Sequence, residues 1–156
     1  LFENREVHLK ATEPWAGIPA RSTGKSFGYD LQTIKQETVP ARGTAIVQTG
    51  LRLAKDLPFW PSHVEAPQGM AMLILPRSSL AIKHGLIVAN SPGLIDADYT
   101  GDIGIVLHNL KDTDVVLEMG WRIAQAVFVQ LFIPNIIEAD KVEAREERGG
   151  YGSTGQ

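Results

Sequence analysis

Cysteine is absent from this 156-residue chain. That excludes disulfides, thiolate nucleophiles and Cys-ligated zinc, and it fits a reducing compartment. Long apolar runs are missing too: no segment approaches a bilayer span, and the opening LFENREVHLK lacks the apolar core of a signal peptide. A soluble, cytoplasmic protein with no membrane partner is expected. There is no positive excess either, since 15 Lys and Arg face 18 Asp and Glu for a formal net charge of −3. A non-specific nucleic-acid binder carries a basic surplus, so no nucleic-acid partner is expected. An anionic ligand would have to be met locally, by a few arginines, backbone N–H groups or a divalent cation. His8, His63, His84 and His108 are scattered without metal spacing, which leaves zinc unassigned, and no Ser–His–Asp constellation can be drawn.

What is present is enough for one core. Apolar residues make up 44% of the chain, and its length suits one domain over residues 1–156. Short β-rich segments recur between Gly and Pro punctuation: 44–54, 70–75, 102–110, 114–119 and 122–133. In the third, Ile103, Ile105 and Leu107 share one side and Val106 takes the other. The rhythm predicts an all-β sandwich or barrel. Residues 122–133 are apolar on both faces apart from Gln125 and Gln130, so this strand is expected to be central or to face another subunit. One short helix is expected at 78–85, with a serine suited to N-cap and Gly85 suited to C′. Its free N–H groups beside Arg77 and two serines attract anions, or form a solvated capping turn. Residues 55–69, with three prolines and the aromatics Phe59 and Trp60, are read as a surface insertion in a hairpin. The tail from Lys141 to Gln156 is charged and then glycine-rich, and is expected to be mobile unless something orders it.

Several residues can carry chemistry, each with a plainer reading beside it. GLIDADYTGDIG (93–104) sets acids and a tyrosine among glycines. Asp96 and Asp98, two apart, share one side of an extended segment. A carboxylate near a phosphate can orient and deprotonate an attacking water; otherwise the pair hydrogen-bonds its own backbone in a solvated turn. Tyr99 can stack on a sugar or base, or sit half-buried. GGYGSTG (149–155) offers consecutive N–H groups, hydroxyls and a ring that can fold over a triphosphate. It lacks the Lys and following helix of a P-loop, and a loose Gly/Ser tail is the alternative. Asp30, in GYDL after Gly28, can assist magnesium directly or through water, or be a turn residue.

The order of these signals is more specific than any one of them. GYDL (28–31), PRSSLA (76–81), GLIDADYTG (93–101), RIAQAVF (122–128) and RGGYGSTG (148–155) follow in sequence. This resembles the five-motif pattern of the homotrimeric deoxyuridine triphosphatase (dUTPase) family, from about residue 24 to the end. The resemblance implies a jelly-roll-like β-clip barrel with one short helix, a homotrimer whose sites are shared between chains, and magnesium-dependent hydrolysis of dUTP to dUMP and pyrophosphate. It implies Asp96 as the base that aligns water on the α-phosphate. Tyr99 would lie under the deoxyribose and exclude a 2′-hydroxyl. Asn90 would read uracil, with backbone from Leu94, Ile95 and Gly104 completing the slot. Arg77, Ser78, Ser79 and Gln125 would hold phosphate, and Asp30 would reach Mg2+ through water. Tyr151 would cap the uracil while Gly152, Ser153 and Thr154 close on the phosphates, making 141–156 a mobile lid.

Three departures from that pattern stand out. The second motif reads RSS where RSG is commoner, so Ser79 can add its hydroxyl. Glu146 stands where an Arg usually precedes the last aromatic, leaving Arg148 or Arg145 for the γ-phosphate. The connection 56–69 is long, which admits a protein partner there and a regulatory protein of the same fold as the competing function. A dCTP deaminase of this fold would need a glutamate where Val106 stands, and valine carries no proton.

Overall fold

Antiparallel pairing accounts for all the strand contacts in the computed structural model, which describes residues 6–60 and 68–140. The elements are β1 (Leu9–Ala11), β2 (Tyr29–Gln32), β3 (Glu37–Val39), β4 (Thr44–Gln48), β5 (Leu51–Leu53), β6 (Phe59–Trp60), β7 (Gln68–Leu75), α1 (Ser78–His84), β8 (Leu86–Val88), β9 (Gly93–Ile95), β10 (Gly104–Asn109), β11 (Val115–Leu117) and β12 (Arg122–Phe132). They form two-stranded ribbons β1–β5 and β3–β11, a sheet in the order β4–β10–β8, and a larger sheet in the order β2–β12–β7–β6 with β9 on the same edge of β7 as β6. With one short helix against these sheets, the architecture is a jelly-roll-like β-clip, as expected. Among the described residues no helix is long and apolar enough to cross a membrane.

Alternation decides which side chains enter the core. Ile103, Ile105 and Leu107 are buried and Val106 is half-buried, because a strand turns successive side chains to opposite faces. They meet Leu31, Val47, Met72, Leu86 and Ile123 in one apolar cluster. β12 pairs with β2 over Arg122–Ala126 and with β7 from Gln125 on, so it is flanked on both sides at Gln125, between Leu75 and Asp30, and at Ala126. Its second half pairs with β7 alone, and Phe132 leaves 67% of its surface exposed.

One local expectation is corrected. The helix N-cap is Arg77, in extended conformation, and no side chain caps it; the serines begin the first turn instead. The C-terminal end is as expected, with Gly85 in the left-handed region at φ 67°. Strand β9 ends at Ile95, and Asp96–Tyr99 is a turn closed by the Tyr99 N–H on the Asp96 carbonyl at 3.2 Å. Asp96 and Asp98 therefore do not lie on one extended segment.

Candidate active site

The sequence-selected residues fall into two clusters. The first gathers where β2, β12 and the segment entering α1 meet. Asp30 sits on β2 opposite Gln125 of β12, and Gln125 lies opposite Leu75 on β7, two residues before Arg77. Arg77 Nε donates to Asp30 Oδ1 at 2.9 Å, Arg122 Nη1 to Asp30 Oδ2 at 3.2 Å, and the Ser22 hydroxyl to Oδ2 at 3.1 Å. A register shift between Arg122 and Ala124 bends the strand start beside this knot. Gln125 Nε2 donates to the Pro76 carbonyl at 3.0 Å and tethers the helix entrance. A Cβ on Gly28 would stand 2.2 Å from Gln125 Oε1, so glycine leaves room for that side chain. Arg77 Nη1 also donates to the Arg122 carbonyl at 3.3 Å. Arg77, Ser79, Lys83, His84 and Arg122 line a cavity of about 290 Å³ along α1. Cations, a hydroxyl and helix N–H groups suit a phosphate chain.

The second cluster follows from a change of sheet. β8 pairs with β10, and the Ala89 N–H still reaches the Val106 carbonyl at 2.8 Å. After the exposed Asn90 and the cis Ser91–Pro92 bond, the chain joins β7 at Gly93. β9 has β7 on one edge and no strand on the other among the described residues, so the Leu94–Ile95 backbone keeps polar groups available for a planar base. Gly104 begins β10 opposite Gln48. Asp96 is exposed, and its carboxylate has no partner among the described residues. It lines a groove of about 510 Å³ with Leu94, Asp98, Ala71 and Ile133. Asp98, read from the sequence as a turn residue, borders the same groove. The Tyr99 hydroxyl donates to the Asp102 carbonyl at 3.1 Å.

One chain does not bring the two clusters together. Asp96 follows the β9 residue opposite Met72, whereas Asp30 lies level with Leu75 two strands beyond β7. That is three inter-strand spacings and four residue steps, roughly 20 Å over the sheet surface. Arg148, Tyr151, Gly152, Ser153 and Thr154 lie outside the described residues, as does half of the 56–69 connection, residues 61–67. Within that connection, β6 pairs Phe59 with Gly69 and Trp60 with Gln68.

The dUTPase family model matches residues 15–155. The chain belongs to the dUTPase family. The deoxyuridine 5′-triphosphate nucleotidohydrolase of Wolinella succinogenes is 37% identical over 156 residues, covering 99% of this chain and 97% of its own. Two phage structures share the fold. The dUTPase of Staphylococcus bacteriophage 80alpha with dUpNHpp has a TM-score of 0.79 at 23% identity, over 98% of this chain and 100% of that one. A mutant dUTPase from phage phi11 of S. aureus, in which a structural Mg(II) ion is coordinated, has a TM-score of 0.72 at 18% identity, over 89% and 99%.

Some neighbours of the two clusters were not singled out from sequence. Arg122 stood inside a quoted motif without a role; its position opening a strand opposite GYDL was the available signal. Ser22, Arg52 and Asp102 carried no signal, because their contacts span 8 and 50 residues of sequence.

Proposed function

We propose that this chain hydrolyses dUTP to dUMP and pyrophosphate with Mg2+, as a homotrimer. The observation that carries this reading is the complementarity of the two clusters. One holds a carboxylate and a strand edge without partners among the described residues, together with a ring; the other holds arginines and a helix entrance. Asp96 orients a water and takes its proton as the water oxygen attacks the α-phosphorus. The bond from that phosphorus to the bridging oxygen breaks, and pyrophosphate leaves. The Leu94–Ile95 edge, Gly104 and Asn90 read uracil, and Tyr99 leaves no room for a 2′-hydroxyl.

Arg77, Ser78, Ser79 and Gln125 hold the phosphates. A triphosphate held at Asp96 cannot span the roughly 20 Å to the Asp30–Arg77 pair of the same chain, so Arg77 comes from a neighbouring protomer. The apolar run beyond β12 supports such an assembly: Ile136 and Ile137 are 94% and 85% exposed in the single chain.

The residues present fit Mg2+ carried by the substrate. No group of three or more His, Asp or Glu gathers for a metal among the described residues. Mg2+ keeps waters and binds phosphate oxygens. Asp30, with both oxygens engaged by guanidinium groups, suits contact through water. When bound, the ion offsets triphosphate charge. Residues 149–156 close over the nucleotide in this reading, with Tyr151 on the base and Arg148 or Arg145 on the γ-phosphate.

The test is pyrophosphate release from dUTP against dCTP, dTTP and UTP. Strong preference for dUTP is expected. Equal turnover of dUTP and UTP would remove the Tyr99 argument, and ammonia release from dCTP would restore the deaminase reading.

A further inference from the structure

Resting on the dUTP reading above, we infer that Arg52 and Asp102 are a positioning pair that sets how strictly the Tyr99 ring separates deoxyribose from ribose. Tyr99 belongs to no strand and is 40% exposed. Its hydroxyl donates to the Asp102 carbonyl at 3.1 Å, which anchors the ring at its tip. The ring lies against Gly101, where an added Cβ would stand 2.5 Å from the hydroxyl oxygen and 2.7 Å from Cζ. With a glycine below and one hydrogen bond at the tip, the ring's place depends on where residue 102 sits.

Its chain neighbour Ile103 is fixed from two directions. The Ile103 N–H donates to the Leu51 carbonyl at 2.9 Å, and the Thr49 hydroxyl donates to the Ile103 carbonyl at 2.6 Å. Beside them, Arg52 grips the Asp102 carboxylate with a fork, Nε to Oδ1 at 2.6 Å and Nη2 to Oδ2 at 3.0 Å. A two-point fork sets the plane of the carboxylate as well as its distance, which one ammonium cannot do. Arg52 and Asp102 side chains are 48% and 45% exposed, and exposed pairs add little to stability. The contribution of this pair is therefore positional. A 2′-hydroxyl adds one oxygen under the sugar, and a ring able to retreat by a fraction of an ångström admits it. Loosening residue 102 thus helps UTP more than it harms dUTP.

The test compares kcat/KM for dUTP and UTP in wild type, Arg52→Ala, Arg52→Lys, Tyr99→Phe and the Arg52→Ala/Tyr99→Phe double variant, with Tm recorded for each. Arg52→Ala should lower the dUTP-to-UTP ratio about fivefold, the effect of one net hydrogen bond, chiefly through a lower KM for UTP. Arg52→Lys should follow it, since charge without the fork does not suffice. The double variant should be no less selective than Tyr99→Phe alone, because both changes act through one contact. A wild-type ratio in Arg52→Ala, or multiplying effects in the double variant, would overturn the positioning role. Loss of dUTP preference in the wild type itself would overturn the functional reading instead.

Discussion

Replacing Asp30 with Asn removes one negative charge while keeping shape, and it tests how the cluster around Asp30 and Arg77 is organised. Asp30 accepts from Arg77, Arg122 and Ser22. The amide in its place would offer one acceptor oxygen and turn an NH2 group towards a guanidinium. Removing one partner of a fully buried pair costs about 3–5 kcal/mol. Here the Asp30 and Arg77 side chains are 13% and 22% exposed and Arg122 is 51% exposed, so water screens part of the loss. About 1–3 kcal/mol remains. At roughly 2–4 °C per kcal/mol for a chain of this size, Tm should fall by about 5 °C. The scan must hold protomer concentration constant, since an oligomer's Tm depends on it. Arg77 also loses the contact that aims it, so KM for dUTP should rise about tenfold with a smaller change in kcat, as expected when substrate and transition state lose the same contact. In a double-mutant cycle with Arg77→Gln, the two changes should couple by about 1 kcal/mol or more. An unchanged Tm together with additive kinetic effects would refute the idea that Asp30 organises Arg77.

Asp96→Asn should lower kcat by about 10²–10⁴-fold while dUTP binding, measured by calorimetry, changes little; retained turnover would move the base elsewhere. A variant lacking residues 149–156 should bind dUTP yet hydrolyse it poorly, and full activity would remove the lid role. Leu107→Ala, at a fully buried position on β10, should cost about 2–5 kcal/mol in urea unfolding; a loss under about 1 kcal/mol would mean the core collapses around the gap. The hydrogen bonds from Arg52, with its charge, hold the Asp102 carboxyl below the usual carboxylate range. Its contribution to stability is therefore complete above the ordinary carboxylate pKa and is lost as pH falls through the lower folded value. The stability gap between wild type and Asp102→Asn, small for so exposed a pair, should stay level from about pH 5 to 8 and close only below about pH 4. A gap that closes near neutrality would point to a different titrating group.

Local signals in the sequence carried much of the fold. The alternation at 103–107 identified the buried face of β10, while the two apolar faces of 122–133, read as central or facing another subunit, belong to a strand flanked on both sides only at Gln125 and Ala126. Gly85 marked the end of α1. The N-cap went astray because Arg77 stays extended behind Pro76, and this puts both serines inside the first turn. For Asp96 and Asp98 the turn reading holds over the extended one, because β9 stops at Ile95, beyond which the edge of β7 pairs with β6.

By itself, the sequence determined the all-β class, the single helix and the order of five motifs, because a strand repeat of two and a helix cap are properties of neighbouring residues. It also placed Asp96 and Tyr99 in one short segment. Only the tertiary structure decided that Asp30 bonds Arg122 across 92 residues and that Arg52 grips Asp102 across 50. It alone decided that Asp96 and Asp30 stand roughly 20 Å apart on one chain. Cross-strand register produces each of these facts. Register is set by how distant strands bury their apolar faces together, and no local pattern encodes that distance.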